Sequence, residues 1–331
     1  MTAVTVMGAG SWGTAFSLVL ADAGADVTLW ARRPEVAAAI EADHHNPGYL
    51  ADIRLPEQVR ATADAERALS GAEVVVLAVP SQRLRASLAG WRLPEQALVV
   101  SLAKGVELGT DLRMSQVVTE AGGVPAERVA IVTGPNLARE IAERQPAAAV
   151  VAAAEESTAR YLQGVCHSPT FRPYTTTDVL GCEVAGATKN VTALAVGMAV
   201  GLGYGANAIA SVMTRGLAET ARLGEAMGAD PHTFAGLAGL GDLVATCSSP
   251  LSRNRTFGEH LGRGLDLQQA TAATAGVVEG VNSCVSVADL ASRHDVEMPI
   301  VTGVLQVVTG EWTPTEALGR LLSRAPRTER G

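Results

Sequence analysis

Aromatic side chains are scarce in this 331-residue chain: Phe, Trp and Tyr together make up 4% of it. The small apolar residues Ala, Val and Leu must therefore carry the core. Charged residues are also few, at 18% against 47% hydrophobic, which excludes a disordered chain and leaves material for a substantial core. A basic surplus is missing, since the formal net charge is −8. A general nucleic-acid binder needs a basic footprint, so nucleic acid is not an expected partner. An acidic surface is likewise repelled by anionic membranes. Any anionic ligand must be held by a local group of Lys, Arg and backbone N–H donors. The four cysteines, Cys166, Cys182, Cys247 and Cys284, form no CxxC pair, so neither a zinc knuckle nor a redox pair is expected. They read as buried thiols of a reducing compartment, which makes the cytoplasm the expected location. The six histidines include no HExxH and no carboxylate cluster accompanies them, so no metal is expected. The first residues, MTAVTVMGAG, have no basic n-region, so no signal peptide is expected.

What is present is two kinds of pattern, and the length favours two domains. Val-rich, near-continuous apolar runs occur at residues 3–7, 26–31, 73–79, 97–102, 128–132 and 147–153, as strands buried on both faces should read. Helical segments such as 11–23 and 34–42 lie between them, which implies right-handed crossovers and a mostly parallel, doubly wound sheet of Rossmann type. One more strand is expected near residues 170–177. Beyond about residue 178 strand-like runs vanish. Helices are expected at about 185–200, 206–226, 254–261, 267–273, 280–293, 300–309 and 314–323. The fold class is thus α/β followed by an all-α C-terminal domain, divided as 1–185 and 186–331. Residues 191–214 carry no charge and are long enough to span a bilayer. Three glycines and Asn207 interrupt the run, and Lys189 and Arg215 close it, so a buried helix hairpin is expected instead of membrane insertion. The tail, RAPRTERG, reads as frayed.

Gly8-Ala-Gly-Ser-Trp-Gly13 fits G-x-G-x-x-G, placed after a strand and opening a helix. Gly8 makes the tight turn, Gly10 lets backbone approach a pyrophosphate, and Gly13 lets helix and strand pack. The helix start, with Ser11 and Trp12, offers free N–H groups to the anion. A dinucleotide cofactor, NAD or NADP, follows. At the end of the second strand, where an NAD-specific site carries Asp or Glu, stand Arg32 and Arg33. They either clamp a 2′-phosphate, favouring NADP, or form a solvated pair at a helix start.

Lys104, in Ser101-Leu-Ala-Lys-Gly105, follows a strand and so belongs at the ligand-binding rim, unless it is a surface lysine before a turn. Gly134-Pro-Asn-Leu-Ala138 follows the next strand and opens a helix. Lys189 and Asn190 start the long uncharged helix. A lysine against an apolar wall loses basicity and can serve as a general acid or base near neutral pH. Gly236–Gly241 delivers Asp242, with Thr246 one turn on; this is either a close backbone approach or a helix end followed by a helix start. Ser252, Arg253 and Asn254 form a small-anion site at a helix start or a solvated basic turn. Val277 and Glu279 precede another helix. Glu279 accepts from an amide or ribose, or stabilises that helix's N-terminus.

Taken together, GAGSWGTA, SLAKG, ATKN, GLAGLGDL, SRNR and VVEG occur in an order and spacing that resembles the bacterial-type NAD(P)-dependent sn-glycerol-3-phosphate dehydrogenases, over roughly residues 3 to 325. The resemblance implies reduction of dihydroxyacetone phosphate, a small phosphorylated three-carbon substrate, to sn-glycerol 3-phosphate for phospholipid synthesis, by a homodimer. It implies Lys189 as proton donor and Lys104 near the substrate oxygens, lowering the pKa of Lys189 by like-charge repulsion. Asp242 would orient Lys189 or the substrate hydroxyl. Arg253, Ser252 and Asn254 would hold the phosphate, with hydrogen bonds from Asn190 and Thr246. Lys104, Ala138, Arg253, Val277 (by backbone) and Glu279 would reach the cofactor. Where Asn136 and Leu137 stand, the family usually shows Ser or Thr and then Phe. The implied contacts there run through the backbone of Gly134 and Ala138, and a side-chain role for Asn136 stays open. Two rivals remain: a related two-domain dehydrogenase of a hydroxyacid, 6-phosphogluconate or ketopantoate, and a catalytically idle dinucleotide sensor. The SRNR segment disfavours the first, and the combination of Lys104, Lys189 and Asp242 disfavours the second.

Overall fold

A computed structural model describes residues 1–274, 276–325 and 328. Eight strands build one sheet: β1 (Ala3–Met7), β2 (Asp26–Trp30), β3 (Val59–Thr62), β4 (Val74–Leu77), β5 (Leu98–Ser101), β6 (Val129–Thr133), β7 (Ala147–Ala153) and β8 (Phe171–Thr176). Their spatial order is β3-β2-β1-β4-β5-β6-β7-β8. The helices of this half are α1 (Ser11–Asp22), α2 (Pro34–Asp43), α3 (Ala65–Leu69), α4 (Leu84–Leu88), α5 (Met114–Gly122), α6 (Ala138–Ala142) and α7 (Glu156–Cys166). The first six strands are parallel, in the order 3-2-1-4-5-6, and the order reverses between β1 and β4. That reversal opens a crevice beyond the carboxyl ends of the strands, where ligands of such sheets bind. β4 is Val-Val-Val-Leu and wholly buried, as a strand covered by helices on both faces must be.

Two features differ from strict strand–helix alternation. β7 pairs antiparallel with β6, and β8 then runs parallel to β7. An apolar run buried on both faces reads the same in either direction, so the sequence carries no sign of the reversal. β3 has only four residues at the edge of the sheet, with Arg60 exposed, and gives too little pattern to be seen in advance.

The second half is helical: α8 (Val179–Gly201), α9 (Ala206–Met227), α10 (Pro231–Ala235), α11 (Asp242–Ser248), α12 (Arg253–Gly262), α13 (Leu267–Ala273), α14 (Glu279–Arg293), α15 (Pro299–Val308) and α16 (Pro314–Leu322). α8 begins at Val179, earlier than the expected 185, because Asp178 caps it by accepting the Gly181 N–H at 2.8 Å. It runs through the expected division between residues 185 and 186. α8 is buried nearly all round, which explains its lack of a polar face. It meets α12 at backbone distance: a Cβ at Gly197 would lie 2.0 Å from the Arg255 carbonyl oxygen, and one at Gly258 2.1 Å from that of Leu194. α8 and α9 form the hairpin expected of residues 191–214, and among the described residues no helix is long and apolar enough to cross a membrane. The four cysteines are free and buried. For residues 326, 327 and 329–331 the expectation of a frayed tail lies outside the described residues.

Candidate active site

The parallel strands set Gly8, Arg32, Ser81, Lys104 and Gly134 beyond the same edge of the sheet, after β1, β2, β4, β5 and β6. Gly8 has φ +133, and a Cβ there would lie 2.6 Å from the Ala78 carbonyl oxygen. A Cβ on Gly13 would lie 1.9 Å from the Gly8 carbonyl oxygen. The turn therefore accepts glycine alone at both places. A Cβ on Gly10 would meet nothing within 4 Å, so the turn borders open space at that point. Gly10 is also the N-cap of α1, and no side chain caps it. The donors of the first turn are left for a ligand, with Ser11 and Trp12 beside them. Trp12 Nε1 is buried with no hydrogen-bond partner. The residues thus fit a dinucleotide pyrophosphate. Arg32 and Arg33 are both exposed, and Arg33 starts α2 with Glu35 at 3.9 Å.

Lys189, Lys104 and Asp242 come from three separate stretches of chain. Lys189 lies on the buried α8, and Lys104 follows β5. Asp242 is delivered by a π-helical turn, Leu237–Gly241, in which the Gly241 N–H donates to the Gly236 carbonyl at 3.1 Å. Gly236 ends α10 and starts this turn, which runs on into α11, so the segment is a helix end followed by a helix start; it is also a close backbone approach, since a Cβ on Gly239 would lie 2.2 Å from the Phe234 carbonyl oxygen. Such turns re-aim the residue that follows. Asp242 is 1% exposed. Lys189 Nζ donates to Asp242 Oδ1 at 2.7 Å and to Thr246 Oγ1 at 2.7 Å. Lys104 Nζ donates to Asp242 Oδ2 at 2.5 Å and to the Gly134 carbonyl at 3.0 Å. Burial pushes the Lys104 ammonium down to about 8; the nearby Asp242 carboxylate opposes this, and the charge of Lys189 adds to it.

A second group gathers around Asn190, the residue after Lys189 on α8. Asn254 Nδ2 donates to Asn190 Oδ1 at 2.9 Å, and Asn254 Oδ1 accepts the Gly280 N–H at 2.9 Å. Asn254 thus ties the start of α12 and the start of α14 to the residue next to Lys189. Ser252 caps α12 by accepting the Arg255 N–H at 3.3 Å. Arg253 is exposed beside Gly276, where an added Cβ would lie 3.0 Å from its guanidinium. Glu279 accepts from Ser81, at 2.6 Å from the hydroxyl and 3.4 Å from the N–H, so it links the helical half to the end of β4. Burial pushes its carboxyl up, and these Ser81 bonds oppose the rise. Asn136 keeps both its amide atoms buried without a hydrogen-bond partner, just before Ala138 opens α6.

Residues 3–159 match the model of the NAD-dependent glycerol-3-phosphate dehydrogenase N-terminus, and residues 178–319 match that of its C-terminus. The chain belongs to the NAD-dependent glycerol-3-phosphate dehydrogenase family. Glycerol-3-phosphate dehydrogenase (NAD(P)+) of Streptomyces griseus is 61% identical over 98% of this chain and 97% of its own length. That of Thermobifida fusca is 57% identical over 100% and 99%. The crystal structure of the Coxiella burnetii glycerol-3-phosphate dehydrogenase superposes with a TM-score of 0.91 at 36% identity, covering 98% of this chain and 99% of that one. A ketopantoate reductase from Ralstonia eutropha, at 19% identity and TM-score 0.61, shares the fold alone. The chain is accordingly an NAD(P)-dependent oxidoreductase of the glycerol-3-phosphate dehydrogenase family.

Two residues near the site of this glycerol-3-phosphate dehydrogenase family member escaped sequence reading, one at its edge and one beneath it. Ser81, the partner of Glu279, occupies the same edge as Lys104, and the strand-end rule that singled out Lys104 applies to it equally. Asn46 is buried beneath the glycine turn, and its only local sign was an Asn-Pro-Gly sequence typical of a loop.

Proposed function

We propose that this chain reduces dihydroxyacetone phosphate to sn-glycerol 3-phosphate, reversibly, with Lys189 as the general acid. The observation that carries this reading is the pair of ammonium groups sharing the buried carboxylate of Asp242 at the carboxyl edge of the sheet. Gly8, Gly10, Ser11, Trp12 and Gly13 would hold the pyrophosphate of NADP or NAD, with Arg32 and Arg33 at the 2′-phosphate of NADP. Lys104, Ala138, Arg253, Val277 and Glu279 border the rest of the cofactor. When bound, NAD(P)H supplies the hydride. The chain's own task is the proton. Lys189 Nζ protonates the carbonyl oxygen in reduction, and the neutral amine takes the hydroxyl proton in the reverse direction. Asp242 and Thr246 fix the direction of that amine, and Lys104 adds a second cation that stabilises charge developing on the oxygen. Arg253, with Ser252 and Asn254 at the start of α12, holds the phosphate. Asn190 and Asn136 add polar contacts to the substrate, as does the backbone of Gly134.

On this reading residues 1–185 are the cofactor-binding domain and residues 186–331 the substrate-binding and catalytic domain, with Arg253, Val277 and Glu279 reaching across to the cofactor and Lys104, Gly134 and Asn136 to the substrate. The product feeds phospholipid synthesis, and the enzyme acts in the cytoplasm as a homodimer. The deciding assay follows oxidation of NADPH and of NADH with dihydroxyacetone phosphate, a 2-keto acid and ketopantoate. Turnover with the triose phosphate is expected. Turnover with a keto acid alone would sink the proposal, and oxidation with none of the substrates would favour a cofactor-sensing role.

A further inference from the structure

Asn46 makes four hydrogen bonds and is 0% exposed. Its amide N–H groups donate to the Ala9 carbonyl at 3.0 Å and to Thr14 Oγ1 at 2.8 Å. Its oxygen accepts the Gly48 N–H at 3.0 Å and the Tyr49 N–H at 3.3 Å. Both donors and both acceptor positions of the amide are used. One side chain therefore joins the glycine turn, the first turn of α1 and the loop that follows α2. That loop reaches the 2′-phosphate side of the proposed cofactor site, since a Cβ on Gly48 would lie 3.0 Å from the Arg33 guanidinium. No role in the proposed reaction requires Asn46 to touch a ligand.

Ala9 lies between Gly8 and Gly10. A trans peptide is planar, so its N–H points opposite to its C=O. Holding the Ala9 carbonyl therefore sets the direction of the Gly10 N–H, one of the donors offered to an anion at this turn. Glycine-rich backbone loses much conformational freedom when it is ordered. If that ordering waited for the ligand, affinity would fall by the same amount.

We propose that Asn46 is a positioning residue for the cofactor: it pre-sets the glycine turn and anchors the 46–49 loop, without contacting the dinucleotide. This rests on the dinucleotide reading of the glycine turn. The test is direct binding of NADPH and of NADH, by calorimetry or nicotinamide fluorescence, without triose phosphate. Asn46→Ala should raise Kd for both cofactors about tenfold, the loss of one to two hydrogen bonds plus ordering. The kcat at saturating cofactor and the KM for dihydroxyacetone phosphate should stay within about twofold, as expected of a group acting only on cofactor binding. Asn46→Asp keeps the acceptor for Gly48 and Tyr49 but presents a carboxylate to the Ala9 carbonyl. Its Kd relative to wild type should be raised at about pH 8 and fall back toward about pH 5.5, because burial at this fully enclosed position lifts the carboxyl above its usual value of about 3.9 and the protonated acid again donates an O–H. If Asn46→Ala does not fold, Asn46→Asp decides alone. A folded Asn46→Ala with Kd within about twofold of wild type would overturn the proposal, as would an Asn46→Asp that binds like wild type at both pH values. A lowered Tm with unchanged Kd would also overturn it, leaving Asn46 a structural residue. Failure of wild type to bind either cofactor would instead withdraw the dinucleotide reading, and this proposal with it.

Discussion

Lys104 and Lys189 hold opposite oxygens of one carboxylate, that of Asp242, at 2.5 and 2.7 Å. Two cations thus share one buried anion, and the cluster keeps a net positive charge. A buried positive excess is costly unless a ligand supplies negative charge. In the proposed reaction a phosphorylated substrate, or the negative charge developing on its carbonyl oxygen, would bring that charge.

Replacing Lys189 with Ala removes the proposed proton donor but leaves Asp242 paired with Lys104. The kcat should fall by about 10²–10⁴, the loss typical of a general acid, while circular dichroism and Tm report a folded protein. Near-wild-type turnover would take Lys189 out of the mechanism.

Lys104 titrates near pH 8 in the folded chain against a usual 10.5, so the unfolded chain binds its proton more tightly. The resulting stability cost is fully present below pH 8 and fades as pH rises toward 10.5. In catalysis the charge itself matters. The KM for dihydroxyacetone phosphate should rise as pH passes about 8, and this limb should vanish in Lys104→Met, whose KM is high throughout. Measured KM–pH profiles of both proteins check it; a flat wild-type profile from pH 7 to 9 would contradict it.

Arg253 is exposed at the first turn of α12. Arg253→Ala should raise the KM for the phosphate substrate about tenfold or more, with a smaller effect on kcat, because a charge-assisted pair is lost. Arg253→Lys should recover only part of the loss, since the two-pronged geometry is gone. An unchanged KM in the alanine variant would put the phosphate elsewhere.

Arg32 and Arg33 stand where a carboxylate would select NAD. The double variant Arg32→Ala, Arg33→Ala should lower kcat/KM for NADPH about tenfold or more and leave that for NADH within a few-fold. Equal losses with both cofactors would show that the pair does not read the 2′-phosphate.

Gly258→Ala tests the packing of the helical half. Its methyl would sit 2.1 Å from the Leu194 carbonyl oxygen, so α8 and α12 must separate. Overpacking of this kind costs about 1–3 kcal/mol or more, which should lower Tm by several degrees. Because α8 carries Lys189, the kcat should fall as well. A Tm equal to wild type would show that the crossing is looser than the backbone distances imply.

The change from Val-rich runs to helical patterning, the glycine turn after β1 and the strands at Ala3–Met7 and Ala147–Ala153 were legible because each is encoded over a few neighbouring residues. The all-helical second half was legible for the same reason. Asp178 moved the start of α8 by a cap that apolar periodicity does not report. The direction of β7 depended on its neighbour in the sheet, and the form of the 237–241 turn on i to i+5 bonds from the Gly241 and Asp242 N–H groups to the Gly236 and Leu237 carbonyls. Local sequence thus determined which segments become strands, helices and anion-receptive turns. Only the tertiary structure decided that residues 53 and 138 positions from Asp242 share its carboxylate, that Glu279 meets Ser81 and that Asn46 lies under the glycine turn. Propensity acts across one or two helical turns, whereas these partners meet only when the sheet and the α8–α12 crossing have packed.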